Sequence, residues 1–128
     1  MKKTVAVVAL IAGLLAAPRL ANAHHGWAAF ESVTKVTLKG TVTDFHFVNP
    51  HSVIEFSVKD DKGQIQAWEG EMTSPLHLAP LGWSAGSLEP GEQITITGFP
   101  AKNGSFALRV TRIVQANGKE MKMTLKGN

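Results

Sequence analysis

The chain has 128 residues, 44% of them hydrophobic, with 13 Lys and Arg against 10 Asp and Glu and no Cys. That length suits one domain and excludes two of ordinary size. The absence of Cys excludes disulfides and leaves a core, or a core plus a ligand, to hold the fold.

The first 23 residues stand apart from the domain. Lys2 and Lys3 form a basic start, Thr4 to Ala17 is apolar apart from Thr4, and Ala21-Asn22-Ala23 is a small-x-small cleavage site. Together they predict a secretory signal peptide over 1–23 and a periplasmic destination. The apolar run is short for a membrane span, which needs about 20 residues. An uncleaved anchor is the alternative, and a lipid anchor lacks the Cys it would need. Without Lys2, Lys3 and Arg19 the basic count falls from 13 to 10, equal to the 10 acidic residues, all of which lie beyond position 23. A formally neutral mature chain gives no support to nucleic-acid or anionic-membrane binding.

Cleavage after Ala23 would start the mature protein at His24-His25-Gly26-Trp27-Ala28-Ala29-Phe30. A histidine at a free terminus can chelate through its α-amine and its own imidazole, and imidazole nitrogens suit copper, zinc and nickel. Trp27 and Phe30 argue that part of this segment, 24–34, packs down.

The barrel domain is expected over 35–128. From Lys35 the residues alternate, with Val36, Leu38, Gly40 and Val42 on one side and Thr37, Lys39, Thr41 and Thr43 on the other, a half-buried strand. After Thr43 the parity flips to Phe45 and Phe47, which predicts a bulge near Asp44, while Gly40 allows a sharp bend. Asn49-Pro50 ends this strand. Ile54, Phe56 and Val58 predict the next strand, Asp60-Asp61-Lys62-Gly63 a hairpin turn, and Gln64 to Trp68 or a little beyond the return. Thr73-Ser74-Pro75 opens a short helix that Pro80 limits and Gly82 ends, with Trp83 packing back as a lid. Two further strands follow, Gln93 to Phe99 and Phe106 to Gln115, joined by a turn at Lys102-Asn103-Gly104-Ser105. Asn117-Gly118 and a short edge strand within Lys119 to Leu125 close the chain. Three meandering strands, a short helix and two more strands predict an all-β, OB-like five-stranded Greek-key barrel. A small β-sandwich is the alternative.

The motifs His24-His25-Gly26-Trp27, Gly40-Thr41-Val42-Thr43, Phe47-Val48-Asn49-Pro50-His51, Glu71 with Ser74-Pro75, Gly82-Trp83, Leu88-x-Pro90-Gly91 and Gly98-x-Pro100-Ala101-Lys102-Asn103-Gly104 span nearly all of the mature chain. In this pattern the chain resembles a bacterial family of small exported proteins of unknown function. The resemblance implies a periplasmic OB-like domain and supplies no catalytic residue.

Function therefore rests on the five histidines, His24, His25, His46, His51 and His77. The expected metal ligands are His24 with its α-amine, His25, and His51 or His46 from the Asn-Pro corner, a nitrogen-rich set for copper or zinc. In local chemistry this resembles the mature-terminal histidine sites of periplasmic copper carriers and copper-dependent polysaccharide oxidases. The opposing expectation is that these rings are solvated or capped turn residues, and His77 is expected to be an ordinary helix residue. Glu69 and Glu71 share strand parity, more simply a solvated face than paired catalytic carboxylates. His51-Ser52 and Ser74 with His77 lack a nucleophile elbow. The chain is thus expected to be a periplasmic binding protein for a metal ion and not an enzyme. The competing expectation is a metal-free module that binds a peptide, glycan or envelope protein on a barrel face, where Trp27, Trp68 or Trp83 could stack a ligand. A copper-dependent redox enzyme is a third.

Overall fold

A computed structural model describes residues 26–124. The expected signal peptide, His24 and His25 lie outside the described residues. A 3₁₀ turn, Gly26–Ala29, precedes β1 (Val36–His46), β2 (Val53–Lys59) and β3 (Ile65–Glu71). A helix, α1 (Pro75–Leu78), continues as a 3₁₀ turn over Ala79–Leu81, and β4 (Gln93–Pro100), β5 (Ala107–Gln115) and β6 (Glu120–Met121) complete the chain.

The strands pair in the order β3-β2-β1-β4-β5-β6, and a parallel pairing of β3 with β5 closes the first five into a barrel. This is the OB-like topology expected from the strand order, with the helix between the third and fourth strands. Closure leaves no long sheet edge among these five strands.

β1 serves both halves of the barrel. Its first part pairs with β4 and its second with β2, and the register slips between Val42 and Asp44. The slip is the bulge that the parity flip required, and it keeps both Val42 and Phe45 in the core. Gly40 lies where β1 passes close over β2. A Cβ there would stand 2.7 Å from Cδ2 of Phe56 and 2.9 Å from the carbonyl oxygen of Ser57.

Ile54, Phe56, Ile96, Leu108 and Ile113 fill the interior, with Val42, Leu78 and Met72 beside them. Each such side chain stabilises the fold by about 1.5–3 kcal/mol relative to exposure. Trp83 caps one end, packed on Phe45 at 5.7 Å between ring centroids, and its Nε1 donates to the carbonyl of Lys122 at 2.7 Å. That bond ties the chain after β6 to the lid. The helix ends at Gly82, whose φ of 96° is the left-handed conformation a glycine adopts without strain. Across β5 and β6, Arg112 Nη2 donates to Glu120 Oε2 at 2.9 Å, and this bond and charge raise the Arg112 pKa further.

The segment before β1 is held down as its two aromatics suggested. Phe30 is buried and bridges to Ala101, Glu31 N–H donates to the Pro100 carbonyl at 2.8 Å, and Lys102 N–H donates to the Ala29 carbonyl at 2.9 Å. No helix among the described residues is long and apolar enough to cross a membrane.

Candidate functional site

Three long-range pairings create one corner of the barrel. Glu71, the last residue of β3, stands opposite Val53 of β2 on one side and Arg109 of β5 on the other, and Arg109 stands opposite Phe99 of β4. One rung thus runs across four strands. The β1–β2 connection brings His51 to it through Asn49-Pro50, whose peptide bond is cis. Backbone bonds fix that approach: Ser52 N–H donates to the Thr73 carbonyl at 3.1 Å and Met72 N–H to the Ser52 carbonyl at 2.8 Å.

Nδ1 of His51 lies against Oε1 of Glu71. Both atoms are buried and neither meets another polar partner, while the side chains as wholes keep 28% and 18% of their exposure. A carboxylate oxygen accepts, so in the neutral imidazole the ring proton belongs on Nδ1 and the lone pair on Nε2. A carboxylate behind one ring nitrogen and a lone pair on the other is the arrangement that metal-binding histidines commonly have.

The 3₁₀ turn at Gly26–Ala29 lays Trp27 over this histidine. The two rings are stacked, 5.6 Å between centroids and 21° apart in plane, and Trp27 stays 43% exposed. Arg109 lies over the Trp27 ring at 4.9 Å and over the Phe99 ring at 4.6 Å. At the start of the helix, Nδ1 of His77 is 3.2 Å from Thr73 Oγ1 and 3.1 Å from Ser74 Oγ. The Ser74 hydroxyl therefore engages the histidine rather than capping a helix N–H.

His46 has different company. At the end of β1 its Nε2 is 2.9 Å from Glu55 Oε1 and 3.5 Å from Asp44 Oδ2, and one ligand atom from each of the three lies within 4.8 Å of the others. All three side chains are about half exposed. Next to them Glu55 faces Glu69 directly across the β2–β3 pairing, a like-charge neighbour.

The structure thus separates the two histidines of the Asn-Pro corner by their partners. His51 joins Glu71 and Trp27, whereas His46 joins Asp44 and Glu55. Two residues around this corner escape sequence reasoning. Glu71 reads there as one of a solvated pair with Glu69, and Arg109 is singled out by nothing beyond its place in the strand from Phe106 to Gln115. Of the tryptophans proposed as stacking surfaces, Trp83 is core. Trp68 is half-buried between Phe56, at 6.3 Å, and Phe106, at 5.1 Å. Phe106 is 48% exposed and borders a cavity of about 660 Å³ with Trp68, Glu55 and Glu69.

Comparison with known proteins gives one match. Residues 11–108 fit the model of a family of unknown function, DUF6152. No curated protein and no solved structure matches the chain.

Proposed function

We propose that this chain, which belongs to the DUF6152 family of unknown function, is an exported periplasmic binding protein that holds one copper or zinc ion at its mature terminus. The ligands are the α-amine and imidazole of His24, the imidazole of His25, and Nε2 of His51. The basic start, apolar run and Ala21-Asn22-Ala23 site support export and cleavage before His24.

The observation that carries this reading is the stack of Trp27 on His51. Residue 24 is three positions from residue 27, and three residues extend over at most about 11 Å. With Trp27 held against the His51 ring, a terminal amine at position 24 is within chain reach of Nε2. Nitrogen donors of this kind suit Cu(II) and Zn(II) better than hard cations. Glu71 supports the same role by holding the proton on Nδ1 of His51 and fixing the ring. His46 is left out of this ligand set because its neighbours are Asp44 and Glu55 rather than Trp27 and the segment that leads to His24.

Native mass spectrometry of the exported protein with Cu(II), Zn(II) and Ni(II) tests the reading. The expected result is a terminus at His24 and one bound ion. That ion should be lost in His24→Ala, in a form with one residue added before His24, and in His51→Ala. Binding that survives all three changes would remove the terminal site.

A second reading has its own observation. The exposed Phe106 ring beside Trp68 suits the stacking of a glycan or peptide on the barrel face without any metal. The absence of metal binding, together with a ligand lost in Phe106→Ala, would favour it.

A further inference from the structure

The Arg109 side chain makes no ion pair and no hydrogen bond among the described residues, and its Nε is buried without an acceptor. Arg112, three positions along β5, has Glu120. The carboxylate closest to Arg109 in register, Glu71, is directed at His51 instead. The Trp27 and Phe99 rings lie 4.9 and 4.6 Å from the guanidinium carbon. Ring contacts of this kind hold a cation in place but satisfy none of the N–H donors on its rim.

The same residue lines a cavity of about 480 Å³, which is within the usual range for small-molecule sites, roughly 300–1,000 Å³. Its polar lining includes Arg109, His77 and Thr73, its apolar lining includes Trp27, Leu81 and Met123, and among the described residues no acidic side chain borders it. One cationic group with unused donors, set among apolar walls, is complementary to an anion that carries an apolar body.

We infer that this cavity binds a small organic carboxylate, with the carboxylate on the rim of Arg109 and the apolar part against Trp27, Leu81 and Met123. Guanidinium and carboxylate match as planar bidentate partners, which favours a carboxylate over a rounder phosphate. The apolar walls would be left uncovered by an inorganic anion. The inference needs no metal. The terminal histidines are not part of it.

The test uses the mature, chelator-treated protein, so its result does not depend on the terminal metal site. Benzoate is titrated while the Arg109 Nε–H NMR signal, assigned by its loss in Arg109→Lys, and Trp27 fluorescence are followed. Benzamide serves as the neutral isostere and inorganic phosphate as the anion without an apolar body. The expected result is saturable binding of benzoate, at least tenfold weaker for benzamide and for phosphate, and at least tenfold weaker again for benzoate in Arg109→Gln. Because Arg109→Gln disturbs the ring stack, His77→Glu provides a second variant. Its site is exposed on the short helix, so it leaves Arg109 in place and adds a negative charge to the cavity. It should also weaken benzoate at least tenfold. Absence of saturable binding, equal binding of benzamide, tighter binding of phosphate, or wild-type affinity in His77→Glu would each overturn the inference.

Discussion

Replacing Glu71 separates what the carboxylate does for the fold from what it does for a bound ion. In Glu71→Ala, Nδ1 of His51 stays buried and loses its one polar partner. A buried donor left without an acceptor costs about 1–3 kcal/mol. The two side chains retain 28% and 18% of their exposure, so water can partly replace the carboxylate and roughly 1–2 kcal/mol is expected. For a domain of this size that lowers Tm by about 4–16 °C, at 4–8 °C per kcal/mol. Glu71→Gln keeps an acceptor without the charge and should lie between Ala and the parent. The measurement is a thermal melt of the chelator-treated mature protein, followed by circular dichroism. The second measurement is a Cu(II) titration against a competing chelator. Loss of a carboxylate that orients a metal-binding histidine typically costs about 10–100-fold in affinity, and that range is expected for Glu71→Ala. A melt within about 2 °C of the parent would show that the contact does not support the corner. A lowered melt with unchanged Cu(II) affinity would show that His51 is not a ligand.

Further outcomes follow from the same geometry. Gly98→Ala places a Cβ against backbone atoms of Arg109 and 3.2 Å from Cα of Val110, where no rotamer change gives relief; a loss of about 3 kcal/mol is expected in urea titrations, whereas Gly86→Ala, with its nearest neighbour 4.0 Å away, should be indistinguishable from the parent. Trp83→Phe removes the donor to the Lys122 carbonyl and should cost about 1–2 kcal/mol, with faster hydrogen exchange across β6 as the local sign. His46→Ala should leave the metal stoichiometry in native mass spectrometry unchanged, and its loss there would move the site to Asp44 and Glu55.

The fold was largely legible because its signals are local. The flip from Val42 to Phe45 marked the bulge, Gly63, Gly82 and Gly104 marked turns that take positive φ, and Ser74-Pro75 marked the helix start. Even the closed barrel follows from strand order and length, since five short strands with a long bent first strand have few ways to bury their inward faces together. Tertiary pairing fixes the one boundary that pattern left loose. β3 runs on past Trp68 to Glu71 because β2 and β5 both pair with its end.

The site was legible only in part, because its residues meet through register rather than spacing. His51 at an Asn-Pro corner could be singled out, but nothing in its neighbourhood tells that Glu71, twenty positions on, ends in line with it. Arg109 shows the limit most clearly. The sequence reading places it only within a strand from Phe106 to Gln115, and an arginine on a barrel strand ordinarily has water for a neighbour. Here the outward side is covered by a segment from the other end of the chain. Phe30 and two backbone bonds hold that segment against the end of β4 and the two residues after it, and Trp27 thereby meets both His51 and Arg109. The aromatic pair Trp27 and Phe30 was the one sequence signal of this cover. It implied that the segment docks without saying where, and where it docks decides which histidine and which cation Trp27 meets.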